Sequence, residues 1–349
     1  MATALGHFQR AAELDPDNAA FAADLARALA RDGDLRAAAE QFRRATDANR
    51  QDENLWAERG QAHLGLNDLK SAASCFGRAL ELAPANAPAL LGAARVHLAL
   101  GELNDAFTKS EAAVRVTPED PEALQTIADV ARARGDYGAA ERYYTAAAAK
   151  APRPAGALLA LGQLYCEQQK WDRAVNTLER ASAADPDSDE IFAALGEAQS
   201  AAGNHSAAMK TFREAARIAP RQPAHLLRLG RACRAQGQLD QALSHLMQAR
   251  EMAPKDDEVL REIGLVFDQR RQYDRALEMY QLAISAAPKS SANYTRAGIA
   301  YRNIKSYADA VSALEKAVSL DPKNLEATKQ LAVVSAMNLV QSNSVSASA

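Results

Sequence analysis

Between Asp189 and Pro220 the apolar positions recur twice at helical spacing. Phe192, Leu195 and Gln199, then Ala208, Phe212 and Ala215, mark one stripe on each of two short amphipathic helices. Gly203 stands between them, where glycine enters the left-handed backbone of a helix C-terminal cap without a side-chain clash; Pro220 closes the second helix. Such a hairpin leaves an apolar stripe uncovered and requires a neighbour of the same build. The rest of the chain supplies it. Steps of 34 residues from Pro220 land on Pro16, Pro84, Pro118, Pro152, Pro186, Pro254, Pro288 and Pro322, with Arg50 the one exception. A small residue keeps the same step from Ala38 and Ala72 through Ala208 to Ala310, and a second series runs from Ala45 to Ala317. A helix, turn, helix grammar with this period predicts a solenoid.

The period divides the chain into residues 1–18, a half repeat carrying only a second helix, 19–324, nine full repeats, 325–341, a C-terminal capping helix, and 342–349, read as a disordered tail. The turn between the helices falls on Gly33, Gly101, Gly135, Gly203 and Gly237, with Asn67 as an acceptable left-handed substitute. Gln169, Arg271 and Lys305 occupy the same place, where a left-handed backbone costs about 1 kcal/mol. The half repeat reads either as the remainder of a repeat cut from a longer protein or as a natural cap. In the first reading Leu5 and Phe8 lie at a raw end, and a homo-oligomer joined through the terminal helices is expected. At the other end Thr328, Lys329, Gln330 and Ser335 offer water a polar face, but Val333, Val334, Met337, Leu339 and Val340 make the last helix more apolar than a cap needs.

Leu158, Leu161, Gly162, Tyr165, Ala174, Leu178 and Pro186 follow a known pattern with Leu in place of its Trp and of its second aromatic. Trp56, Gly60, Ala72, Phe76 and Pro84 keep the Trp and put Arg59 at its Leu position. In these residues, over nearly the whole length, the chain resembles the tetratricopeptide repeat proteins. The resemblance implies an all-α, right-handed superhelical solenoid whose concave groove is lined by the first helix of each repeat, with ligands meeting first-helix positions 2, 5, 6, 9, 12 and 13. Two specialised forms of the family do not carry over. No repeat has the Lys and Asn of the chaperone-binding carboxylate clamp at positions 5 and 9. Position 6 reads Asp24, Glu58, Gly92, Thr126, Ala160, Ala194, Arg228, Glu262 and Arg296 rather than a ladder of asparagines.

Charge and composition narrow the function. A net charge of -3 is unlike the strongly basic surface of a general nucleic-acid binder. No apolar run reaches the length of a membrane span and no signal-peptide core opens the chain, so a cytoplasmic location is expected. Cys75, Cys166 and Cys233 lack metal-type spacing and read as small hydrophobes. There is no phosphate-cradling glycine loop, no HExxH and no nucleophile, base and acid grouping outside the repeat phase. His63 and His97 share one phase of adjacent repeats, too far apart for a common metal, and read as seam residues. Neither catalytic residues nor a cofactor or metal is expected.

The candidate site lies on the groove positions. From Pro223 onward these hold Arg228, Arg231, Arg234, Arg261, Arg296 and Arg302, and guanidinium forks along one wall suit an acidic peptide or a C-terminal carboxylate. The competing reading is that Glu258, Glu262 and Asp268 neutralise them within the wall. Leu91, Leu98 and Leu159 form a second, apolar candidate for side chains of an extended or helical partner. The expected function is a non-enzymatic scaffold for a protein or peptide. The alternatives are the regulatory or substrate-recruiting array of a longer enzyme, and a scaffold that self-assembles through its ends.

Overall fold

A computed structural model describes residues 2–15 and 17–346, with backbone alone at 2–4 and 342–346; Pro16 lies outside the described residues. It contains helices and, among the described residues, no strand. The chain falls into two compact units, Met1–Lys170 and Trp171–Ala349.

In the first unit α1 (Ala2–Leu14) packs on a series of hairpins: α2 (Ala19–Asp32) with α3 (Leu35–Ala48), α4 (Glu53–Gly65) with α5 (Leu69–Leu82), α6 (Ala87–Ala99) with α7 (Leu103–Val116), and α8 (Pro121–Ala133) with α9 (Tyr137–Lys150). The unit closes with α10 (Ala155–Glu167). The second unit opens with α11 (Trp171–Ala184). Its hairpins are α12 (Asp189–Ala201) with α13 (His205–Ile218), α14 (Pro223–Ala235) with α15 (Leu239–Met252), α16 (Asp257–Gln269) with α17 (Tyr273–Ala286), and α18 (Ser291–Asn303) with α19 (Tyr307–Leu320), followed by α20 (Leu325–Ser346).

Local chemistry fixes each turn. Gly33 takes φ +89° at the end of α2, and the side chain of Asp34 then accepts the backbone N–H of Ala37 to cap α3. Asp68 and Asp136 do the same for α5 and α9. Asn67, Gln169, Arg271 and Lys305 adopt the left-handed backbone that glycine takes elsewhere, at φ +56° to +64°. Side-chain-bearing residues therefore keep the turn rather than reshape it.

The seam between helices is built from small residues. The alanine series Ala38 to Ala310 and Ala45 to Ala317 is fully buried wherever it recurs. Rings then nest against glycine. A Cβ added at Gly60 of α4 would lie 2.6 Å from the Phe76 ring, and one at Gly92 of α6 would lie 2.1 Å from it, so this ring of α5 fills a socket walled by two successive first helices. In the second unit Phe212 meets Gly196 and Tyr280 meets Gly264 in the same way.

Within each unit the first helices also touch one another. Thus α4 meets α6 and α6 meets α8; α14 meets α16, α16 meets α18, and α18 meets α20. Their free faces make one continuous inner wall per unit. The last helix departs from expectation. Ser342 to Ser346 belong to α20 rather than to a tail, because nothing from Leu325 onward is a glycine or proline that would stop the helix. Residues 347–349 lie outside the described residues.

Candidate functional site: the inner wall of the second unit

The six candidate arginines all sit on first helices: Arg228, Arg231 and Arg234 on α14, Arg261 on α16, Arg296 and Arg302 on α18. Arg228 donates Nε–H to Glu197 Oε1 of α12 at 2.6 Å. Arg231 donates Nε–H to Glu262 Oε1 at 2.9 Å and an Nη2–H to Glu258, and Arg234 donates Nε–H to Glu262 Oε2 at 3.1 Å. The Glu262 side chain is only 8 % exposed, so two guanidinium groups clamp one buried carboxylate. Burial works against the charge of Arg231, but the hydrogen bonds to Glu258 and Glu262 and the charges of both carboxylates outweigh it and hold its pKa above the ordinary value. Arg261 bonds Asn293 Oδ1 at 2.8 Å and Asp257 Oδ2 at 3.2 Å. Arg296 bonds Glu326 Oε2 of α20 at 2.9 Å.

Arg302 differs. Its partners are the amide oxygens of Gln330 and Asn303, and among the described residues it alone of the six has no carboxylate partner. Asp268, expected among the neutralising acids, accepts the Tyr280 hydroxyl at 2.6 Å instead. Glu258 and Glu262 fill the neutralising role, joined by Glu197, Asp257 and Glu326.

Between these first helices lies a hollow of about 550 Å³, lined by Glu197, Ser200 and Ala201 of α12, Phe212 of α13, Glu258 of α16, and Leu227, Arg228, Arg231 and Arg234 among the residues of α14. Charged and apolar side chains line it together, the composition of a surface that orients a ligand by polar contacts and holds it by burial.

Of the three apolar candidates, Leu91 does not line a groove. Leu91 is 4 % exposed and packs with Leu90, Ala113 and Ala123, so it belongs to the core and not to a groove. The small side chains beside it let the helices close over a residue that the repeat phase places on the wall. Leu98 and Leu159 are half-buried. Cys75 and Cys233 are buried, and burial pushes both thiols up, in keeping with their reading as small hydrophobes.

Sequence reasoning missed the rule that pairs the wall. Arg27 bonds Glu58 through Nε and Nη2 at 2.9 to 3.2 Å, Arg95 bonds Thr126, Arg228 bonds Glu197 and Arg231 bonds Glu262, each across a separation of 31 residues. That separation joins the ninth residue of one first helix to the sixth of the next. Complementary charges 31 apart were therefore a signal present in the sequence. The spacing of the histidines alone does not reveal a further grouping: His97, Glu102 and Asp105 bring an imidazole nitrogen and two carboxylate oxygens within 4.8 Å of one another at the α6–α7 turn.

Family models described as tetratricopeptide repeat match the chain over residues 1–61, 131–198 and 200–264, over 58–123, and over 291–324. The chain belongs to the tetratricopeptide repeat family. Among solved structures, this tetratricopeptide repeat chain is similar to one from the APC/C hetero-tetramer Cut9–Hcn1, at 14 % identity and TM-score 0.54, with 95 % of this chain and 81 % of that chain covered. It is also similar to PilW, a type IV pilus biogenesis factor, at 21 % identity and TM-score 0.55, with 59 % of this chain and 96 % of that one covered. At these identities the likeness is one of fold. No curated protein matches the chain. Among the described residues no helix is long and apolar enough to cross a membrane. Repeats of this family are protein-interaction modules, and the inner wall is where this one concentrates polar groups that differ from repeat to repeat.

Proposed function

We propose that this tetratricopeptide repeat chain is a non-enzymatic scaffold that captures an acidic peptide or protein segment on the inner wall of its second unit. One observation carries the reading. In the hollow beside α14, among the described residues, Arg228 donates only its Nε–H to Glu197 and Arg234 only its Nε–H to Glu262, which leaves the forked Nη ends of both guanidinium groups for a ligand. A guanidinium fork matches a carboxylate through two parallel hydrogen bonds. The glutamates that hold the Nε atoms pre-order the arginines, which lowers the entropy lost on binding. They also bring the hollow near charge balance, so recognition rests on a few well-placed carboxylates rather than on a long acidic run.

The test is quantitative affinity capture from native lysate with the intact chain and with Arg228→Gln/Arg234→Gln, followed by titration of the captured partner. Loss of two charge-assisted contacts should weaken binding at least about tenfold and reduce its salt sensitivity. Equal affinity for both forms refutes the hollow as the site.

A further inference from the structure

On α20 the residues Glu326, Gln330, Val333, Met337 and Val340 follow one another at intervals of four, three, four and three, which places them on one face of the helix. The first two are engaged by the neighbouring first helix, Glu326 by Arg296 and Gln330 by Arg302. The other three are exposed, at 47 %, 40 % and 70 %. α20 turns Ala327, Leu331 and Val334 into the core it shares with α19, and the face that carries Val333, Met337 and Val340 is left open.

α20 thus carries an exposed apolar stripe at helical spacing, beside Gln330 and the arginine that bonds it. Among the described residues, Arg302 is also the one candidate arginine without a carboxylate partner. A hydrated partner surface gains from covering Val333, Met337 and Val340, and Met337 adapts its shape to what it meets. Such a guanidinium at the edge of the stripe selects for a carboxylate at the matching place.

We infer that the distal face of α20, with Arg302, is a second docking surface, and that its occupant is an acidic amphipathic helix of a partner protein. Apolar side chains three and four residues apart cover Val333, Met337 and Val340 in the helix-in-groove manner, and an Asp or Glu one turn before them meets Arg302. The inference rests on the reading of the first-helix wall as a protein-binding surface, but not on the hollow beside α14.

The test pans a displayed library of helical 16-residue peptides against the full chain and measures the selected peptides, fluorescein-labelled, by anisotropy. The expected peptides combine the apolar spacing with an acidic residue. Arg302→Gln should weaken them about tenfold, and Val333→Asn/Met337→Asn by more, with helix content unchanged by circular dichroism. Arg228→Gln/Arg234→Gln should leave them unaffected, so this surface and the hollow succeed or fail separately. Peptides that lack an acidic residue, or that bind Arg302→Gln and the double Asn variant as well as the parent, overturn the assignment. So does sedimentation showing a dimer that the double Asn variant abolishes, because the occupant is then a second copy of the chain.

Discussion

Phe76 in the first unit and Tyr280 in the second stand at the same step of the repeat, and both are fully buried. The Phe76 ring is confined on two sides, by Gly60 and Gly92, and asks for shape alone. The Tyr280 ring is nested on Gly264 but carries a hydroxyl, which donates to Asp268 Oδ2 at 2.6 Å. The carboxylate that satisfies the hydroxyl is itself in difficulty: Asp268 Oδ1 is buried with no hydrogen-bond partner, and burial holds the carboxyl pKa above its ordinary value. Tyr144 and Asp129 repeat the arrangement in the first unit, with the Asp one turn earlier along its helix. The repeat fixes the slot for the ring. A hydroxyl in that slot then requires a polar partner whose position the repeat does not fix.

The largest effect should come from Gly92→Ala. The added methyl group meets the Phe76 ring, and the opposite wall at Gly60 leaves the ring nowhere to move, so the first unit should lose about 1–3 kcal/mol. The measure is hydrogen-exchange protection in α4 to α6; unchanged protection would show that the socket has slack and remove the contrast with Tyr280. Tyr280→Phe comes next. It preserves the packing but leaves Asp268 without its donor, at a cost of about 1–2 kcal/mol confined to the second unit. A cost as small as that of a surface change would mean that the slot reads only shape in both units.

The smallest effect belongs to Asp268→Asn, whose amide oxygen can still accept the Tyr280 hydroxyl. Because the carboxyl pKa is raised in the folded chain, the native state binds more protons than the unfolded one between the ordinary value and the raised one. Stability associated with Asp268 therefore falls as pH rises through that window. The Asn variant should gain on the parent from acid toward neutral pH by less than about 1 kcal/mol and then hold level. Thermal midpoints that diverge in the opposite direction would contradict the assignment of the shift to burial.

What could be read from the sequence was what the period and the local backbone determine. Ala38 to Ala310 lie buried in the seam, and Asn67, Gln169, Arg271 and Lys305 take the left-handed turn, because each answers to a constraint that recurs every repeat. The inner wall was legible as a row of arginines but not as a set of pairs. Arg231 and Glu262 lie on different repeats, and reading each repeat as a separate list of positions hides a contact that spans 31 residues. Leu91 was placed on the wall by its phase, whereas its exposure depends on how closely its small neighbours let the helices approach. The end of α20 was misjudged from polarity, although helix continuation depends more on the absence of breakers than on hydrophobicity.

The socket of Phe76 also bears on how such a chain can be cut and rejoined. Its two walls are contributed by α4 and α6, so the smallest piece that keeps the ring enclosed is three helices long and does not coincide with the step of the sequence. A repeat deleted or grafted at its sequence boundary carries away one wall and leaves the other. Exchange of repeats preserves this joint only where the incoming first helix offers, at the place of Gly92, a residue with no side chain.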